Sequence, residues 1–185
     1  MVDPAMSCGT KPCNDYIERN PTLREVSPVF EEALRAVGSK LKRDQFFIIA
    51  VDGPVAAGKS YFARFLSWEL QTRFLDADIF LSGLGKPFVH DRECAQQWLL
   101  RLRILSAPLV VVGAGIANTL HAVGFPPNFL IYVEKAREVR PLDDWYTANT
   151  DVEVVPGLPT KKDEAKTKAE ADWILPSRVD QDNGK

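Results

Sequence analysis

The sequence is poor in ligating and cross-linking side chains, with 3 cysteines and 2 histidines among 185 residues. Cys8, Cys13 and Cys94 are too few and odd in number for a disulfide framework, so a reducing, cytoplasmic location is the expectation. Cys8-x4-Cys13 has no second Cys or His pair at metal spacing and does not read as zinc. Cys94 and His121 read as structural. Charge of one sign is also lacking: 23 Lys+Arg against 25 Asp+Glu leave a net charge of −2. That argues against coating a nucleic-acid polymer or binding a membrane through a polybasic surface. The longest nearly apolar stretch, Ala107 to Asn118, is interrupted by Pro and Gly and falls far short of the roughly 20 residues that span a bilayer. The first residues lack a basic region followed by an apolar run, so no secretory signal is expected there.

What is present is an ordinary globular composition, 45% hydrophobic and 26% charged, at a length that suits one domain with tails. Residues 1–44 read as a Pro-punctuated arm followed by an amphipathic helix. Ser27-Pro28 with Glu31 and Glu32 forms a helix start, and Val29, Ala33, Leu34, Val37 and Leu41 recur at helical spacing. Residues 45–176 read as an α/β domain and 177–185 as a polar tail. Phe46 to Val51, Leu109 to Val112 and Phe129 to Val133 are continuous apolar runs of strand length, the pattern of strands buried on both faces of a parallel sheet. A short strand is expected to run from Phe74 to Asp78, with Asp76 and Asp78 on one face. Helical patterns lie between the strands, so the order implies βαβ units. Val152 to Val155 and Trp173 to Leu175 are candidate short strands. Lys161 to Asp172 favours helix by composition but offers no apolar face, which suits a solvated helix or loop better than a partner-binding one.

The stretch Gly53-Pro54-Val55-Ala56-Ala57-Gly58-Lys59-Ser60 satisfies the phosphate-binding loop pattern, and Tyr61 follows it. It leaves a buried strand and opens a helix, which is the context its mechanism requires. Glycines let successive N–H groups converge on phosphates at the positive end of the helix. Lys59 would place a charge on the β and γ phosphates and Ser60 would ligate Mg²⁺. No G-x-G-x-x-G follows the first strand, which argues against a dinucleotide site.

Phosphoryl transfer also needs a carboxylate near the acceptor hydroxyl and cations on the moving group. Asp78 is the candidate for the first role, and Asp76 could hold a water on the metal; local loop capping is the rival for both. Arg137 and Arg140, three apart, would share a helical face and could close over a triphosphate, with surface pairing to Glu134, Glu138 or Asp143 as the competing role. His90 and Asp91 lie in the following loop.

The run Ile48-Ile-Ala-Val-Asp-Gly-Pro-Val-Ala-Ala-Gly-Lys-Ser60 resembles the opening of the uridine kinase-like and cytidylate kinase-like P-loop phosphotransferases. Asp78-Ile79-Phe80-Leu81 is similar to the Asp-x-Phe-Tyr or Asp-x-Phe-Leu segment of uridine and pantothenate kinases. The resemblance implies a three-layer P-loop fold with five parallel strands ordered 2-3-1-4-5 and ATP and Mg²⁺ on the loop, to which the amphipathic helix read above adds an N-terminal helical extension. It further implies a small-molecule acceptor, a nucleoside as first guess, above the strand ends, with Asp78 facing its hydroxyl. One departure bears on function: where uridine kinases carry Glu-Gly after the third strand, this chain has Ala114-Gly115. A non-catalytic or regulatory ATP-binding protein is therefore the alternative to a kinase. A switch-type GTPase lacks its Asn/Thr-Lys-x-Asp motif here.

Overall fold

The computed structural model describes residues 28–55, 57–80, 91–134 and 159–176. Apolar runs in the sequence become five strands: β1 (Ile48–Asp52), β2 (Arg73–Asp76), β3 (Leu109–Val112), β4 (Phe129–Val133) and β5 (Trp173–Leu175). All neighbours pair in parallel, and the order across the sheet is β2-β3-β1-β4-β5. Every residue of β1, β3 and β4 is buried, because helices cover both faces and no position is left to face water.

Alternation along the strands divides the core in two. Ile49, Val51, Val110, Val112 and Ile131 face α1 (Pro28–Lys40) and α2 (Lys59–Glu69). Ile48, Ala50, Leu109, Val111 and Leu130 face α3 (Arg92–Ile104) and α4 (Ile116–Ala122). The result is the three-layer α/β arrangement expected from the sequence. The helix before the sheet is continuous through Gly38 to Lys40 and shares this core. Phe30 meets Phe62 edge-on with ring centroids 4.8 Å apart, and Lys40 donates to Asp172 at 3.0 Å.

Two boundaries differ from the sequence expectation. β1 begins at Ile48 rather than Phe46, whose ring turns edge-on to Phe125 beneath the strand. The strand through Asp76 stops there, and Ala77–Phe80 forms a 3-10 turn. The Asp78 N–H donates to Asp76 Oδ1 at 3.2 Å, a local bond that replaces the next rung of the ladder. The expectation that Asp76 and Asp78 share one strand face is thereby overturned. Lys161–Glu170 does form a helix, α5, closed at its start by a reciprocal capping box between Thr160 and Asp163. The candidate strand at Val152 to Val155 lies outside the described residues.

If α1 is part of the core, truncating Phe30 to Ala removes a ring wedged between the helix and α2. The expected loss is about 3 kcal/mol in urea unfolding; an appendage would lose almost nothing.

Candidate functional site

Register brings the carboxyl ends of the strands level: Asp76 pairs with Val112, Val112 with Val51, and Asp52 with Tyr132. Adjacent strands β1 and β3 then send their helices to opposite faces, α2 to one side and α4 to the other. A crevice opens where neighbouring connections diverge in this way, and ligands of open α/β sheets bind there.

The carboxyl end of β1 is Asp52, one residue beyond the apolar run read from the sequence. It is 2% exposed. Its Oδ1 accepts from the N–H groups of Gly53 at 2.7 Å and Gly115 at 2.8 Å, and its Oδ2 from that of Ala117 at 3.0 Å. One carboxylate therefore fixes both the first turn of the phosphate-type loop and the start of α4, whose N-cap glycine supplies no side chain of its own. Burial pushes the Asp52 carboxyl up, while bonds from Ala117, Gly53 and Gly115 and the charge of Lys59 pull it back. A charged residue directly before the glycine-rich loop was the available signal, since an unpaired carboxylate is rarely buried.

Within the loop, Gly53 (φ 141°) runs so close to β4 that a Cβ there would stand 2.3 Å from the Val133 carbonyl oxygen. Gly58 takes φ 82° and opens α2 with no side-chain cap, so the amides of the first helical turn face the loop at the positive end of the helix. Lys59 is 8% exposed, and its Nζ donates to the Pro54 carbonyl at 2.5 Å. Ala57 N–H donates to the same oxygen. Burial pushes the Lys59 ammonium down, opposed by the charges of Asp52, Asp78, Glu164 and Asp76 in that order. Pro54, Val55, Ala57 and Ser60 are half-buried around the lysine, whereas Tyr61 points outward at 57% exposure with its ring 6.2 Å from Phe30. Tyr61 thus lies against α1.

Asp76 is half-buried at the end of β2 and Asp78 is exposed one step beyond. Both act on Lys59 through their charge. Arg137, Arg140, Ala56 and His90 lie outside the described residues. Asp91 caps α3, accepting from Cys94 N–H at 2.9 Å. Among the described residues, Lys59 is thus a buried cation on which four carboxylates act through their charge. Among the described residues, no group of three or more His, Cys, Asp or Glu side chains is arranged to hold a metal. The side chains there offer oxygen donors, the class that a hard divalent cation such as Mg²⁺ takes. Also among the described residues, no helix is long and apolar enough to cross a membrane.

No protein-family model and no curated protein matches the sequence. Among solved structures, the chain is similar to a possible uridine kinase from Bacillus stearothermophilus, with 12% identity, 83% of this chain and 99% of that one covered, and a TM-score of 0.48. It is also similar to shikimate kinase from Acinetobacter baumannii in complex with shikimate, with 17% identity, 77% and 86% coverage and a TM-score of 0.44. A sugar kinase from Janibacter sp. HTCC2649 matches at 11% identity over 71% and 85% of the two chains, with a TM-score of 0.42. The strand order and the glycine-rich turn from β1 into α2 make this an α/β P-loop fold.

Two measurements test the site's construction. In Asp52→Asn an amide group replaces one acceptor and faces a buried backbone donor, with an expected loss of about 1–3 kcal/mol in urea unfolding. For Lys59, the folded value lies below the ordinary 10.5. Between the two, the folded chain binds fewer protons than the unfolded, so this group's contribution to stability grows as pH rises. Lys59→Met is therefore expected to gain stability over wild type near pH 8, and the gap is expected to narrow by about pH 10.

Proposed function

We propose that the protein transfers the γ-phosphoryl group of Mg·ATP to a hydroxyl of a small molecule. A nucleoside is the first acceptor to test. The observation that carries this reading is the buried Lys59, held at the uncapped start of α2, with exposed Asp78 acting on it through its charge. A buried ammonium turned onto a backbone carbonyl gains when a phosphate oxygen replaces that carbonyl, because its charge then meets a full opposite charge.

In this scheme the amides from Gly58 onward and Lys59 hold the β and γ phosphates, and Lys59 Nζ leaves Pro54 for them. The Ser60 hydroxyl would hold the metal, and Asp76 would hold a water on it. When bound, Mg²⁺ neutralises charge on the phosphates. Asp78 accepts the proton of the acceptor hydroxyl as its oxygen attacks the γ-phosphorus and ADP leaves. Arg137 and Arg140 are assigned to the equatorial charge of the moving group. Catalysis of this kind is positioning and electrostatics, and it needs water kept out while the phosphoryl group moves.

Asp78→Asn should leave ATP binding near wild type and abolish transfer, whereas Lys59→Ala should damage both, measured with labelled ATP against a panel of hydroxyl acceptors. Unchanged transfer by the Asp78 variant removes its assigned role. Ala114, standing where an acid is expected from the resemblance, favours one second reading, a regulatory ATP-binding protein. Mg·ATP binding without transfer to any acceptor would select it.

A further inference from the structure

α5 is held against the site without an apolar face of its own. Thr167 is the only buried residue of the helix, so little apolar area keeps it in place. Its two ends make specific contacts instead. At the start, Thr160 and Asp163 close their reciprocal capping box, and Pro159 just before it lies on Gly115, its Cγ 2.9 Å from where a Cβ would stand. Gly115 has φ 69°, so its backbone and the proline both exclude a side chain there. Toward the other end, Lys168 bridges to Glu134, whose N–H donates to the Leu175 carbonyl at 2.9 Å.

Both contacts lead to Gly53, the first residue of the glycine-rich loop. Asp52 Oδ1 accepts from Gly115 N–H at 2.8 Å and from Gly53 N–H at 2.7 Å. An oxygen shared by two donors cannot follow one of them without lengthening its bond to the other. On its other side Gly53 runs against the carbonyl oxygen of Val133, the residue before Glu134. α5 therefore bears on both groups that Gly53 packs against, the carboxylate through Gly115 and the end of β4 through Glu134.

We infer that Pro159 is a positioning residue of the phosphate loop, acting through Gly115 and the shared Asp52 oxygen. The inference rests on the reading of that loop as the ATP phosphate site and adds to it a residue from outside the loop pattern. With the proline ring gone, the Gly115 turn is free to move and draws Oδ1 away from Gly53, so the loop amides lose their common aim on the phosphates. One ring on a glycine buries little apolar area. The cost therefore falls on binding rather than on folding.

Calorimetric titration with Mg·ATP, urea unfolding and amide hydrogen exchange test this on the full chain. Pro159→Ala is expected to weaken Mg·ATP about tenfold. Its urea midpoint is expected to shift no more than that of Pro126→Ala, which removes an exposed proline at the opposite end of β4 and leaves the affinity unchanged. Pro159→Val, whose γ-methyl groups refill the seat, is expected to recover most of the affinity. In Pro159→Ala the Gly53 amide is expected to exchange faster, although Gly115 and Asp52 stand between it and the proline. Unchanged affinity in Pro159→Ala, an equal loss in Pro126→Ala, no recovery by valine, or a midpoint shift well beyond that of Pro126→Ala overturns the assignment. Affinity lost with Gly53 exchange unaltered overturns the route through Asp52. Wild-type protein that binds no Mg·ATP overturns the phosphate-site reading, whereas faster Gly53 exchange in Pro159→Ala would still uphold the proline's hold on the loop.

Discussion

The site depends on one buried carboxylate. Asp52 sits at the end of the central strand, where β1 and β3 part to opposite faces of the sheet, and its two oxygens accept three backbone N–H groups from the two segments that diverge. Burying a carboxylate is costly unless its oxygens are occupied, so these bonds hold only one mutual placement of loop and turn. The glycine-rich loop, the start of α2 and the buried Lys59 are positioned against α4 by that placement. The sheet supplies the rest of the rigidity: β1, β3 and β4 are buried throughout, and a core on both faces resists any shift of their ends.

At this end of the sheet a buried cation meets carboxylate charge. Lys59 is the buried cation, and Asp52, Asp78, Glu164 and Asp76 all act on it. The near-zero net charge of the chain is thus distributed unevenly. In the resting loop Lys59 is satisfied by Pro54, a bond between charge and dipole that a phosphate can displace.

Much of this was legible in the sequence, and the limits have physical causes. Strands buried on both faces announce themselves as continuous apolar runs, and the loop pattern marked the turn between β1 and α2, so the layers and that turn could be read directly. Asp76 and Asp78 were misplaced on one strand face because alternation says nothing about where a ladder ends; a side chain that bonds the backbone two residues on ended it. Asp52 was overlooked because a carboxylate at a strand end looks like surface, and only the fold shows three amides converging on it. The inward face of α5 was hidden for a different reason: the helix has no apolar stripe, so periodicity could not say which face turns inward, and that face is set by Pro159 on Gly115 and Lys168 on Glu134.

The central claim is that this crevice holds the phosphates of a nucleoside triphosphate, with Lys59 exchanging a carbonyl for them. A crystal structure with Mg²⁺ and a non-hydrolysable ATP analogue tests it most directly. The account predicts the β and γ phosphates within the turn from Gly53 to Ser60, Lys59 Nζ moved from Pro54 onto a phosphate oxygen, and the three bonds to Asp52 unchanged. An analogue bound elsewhere, with Lys59 still on Pro54, would contradict it.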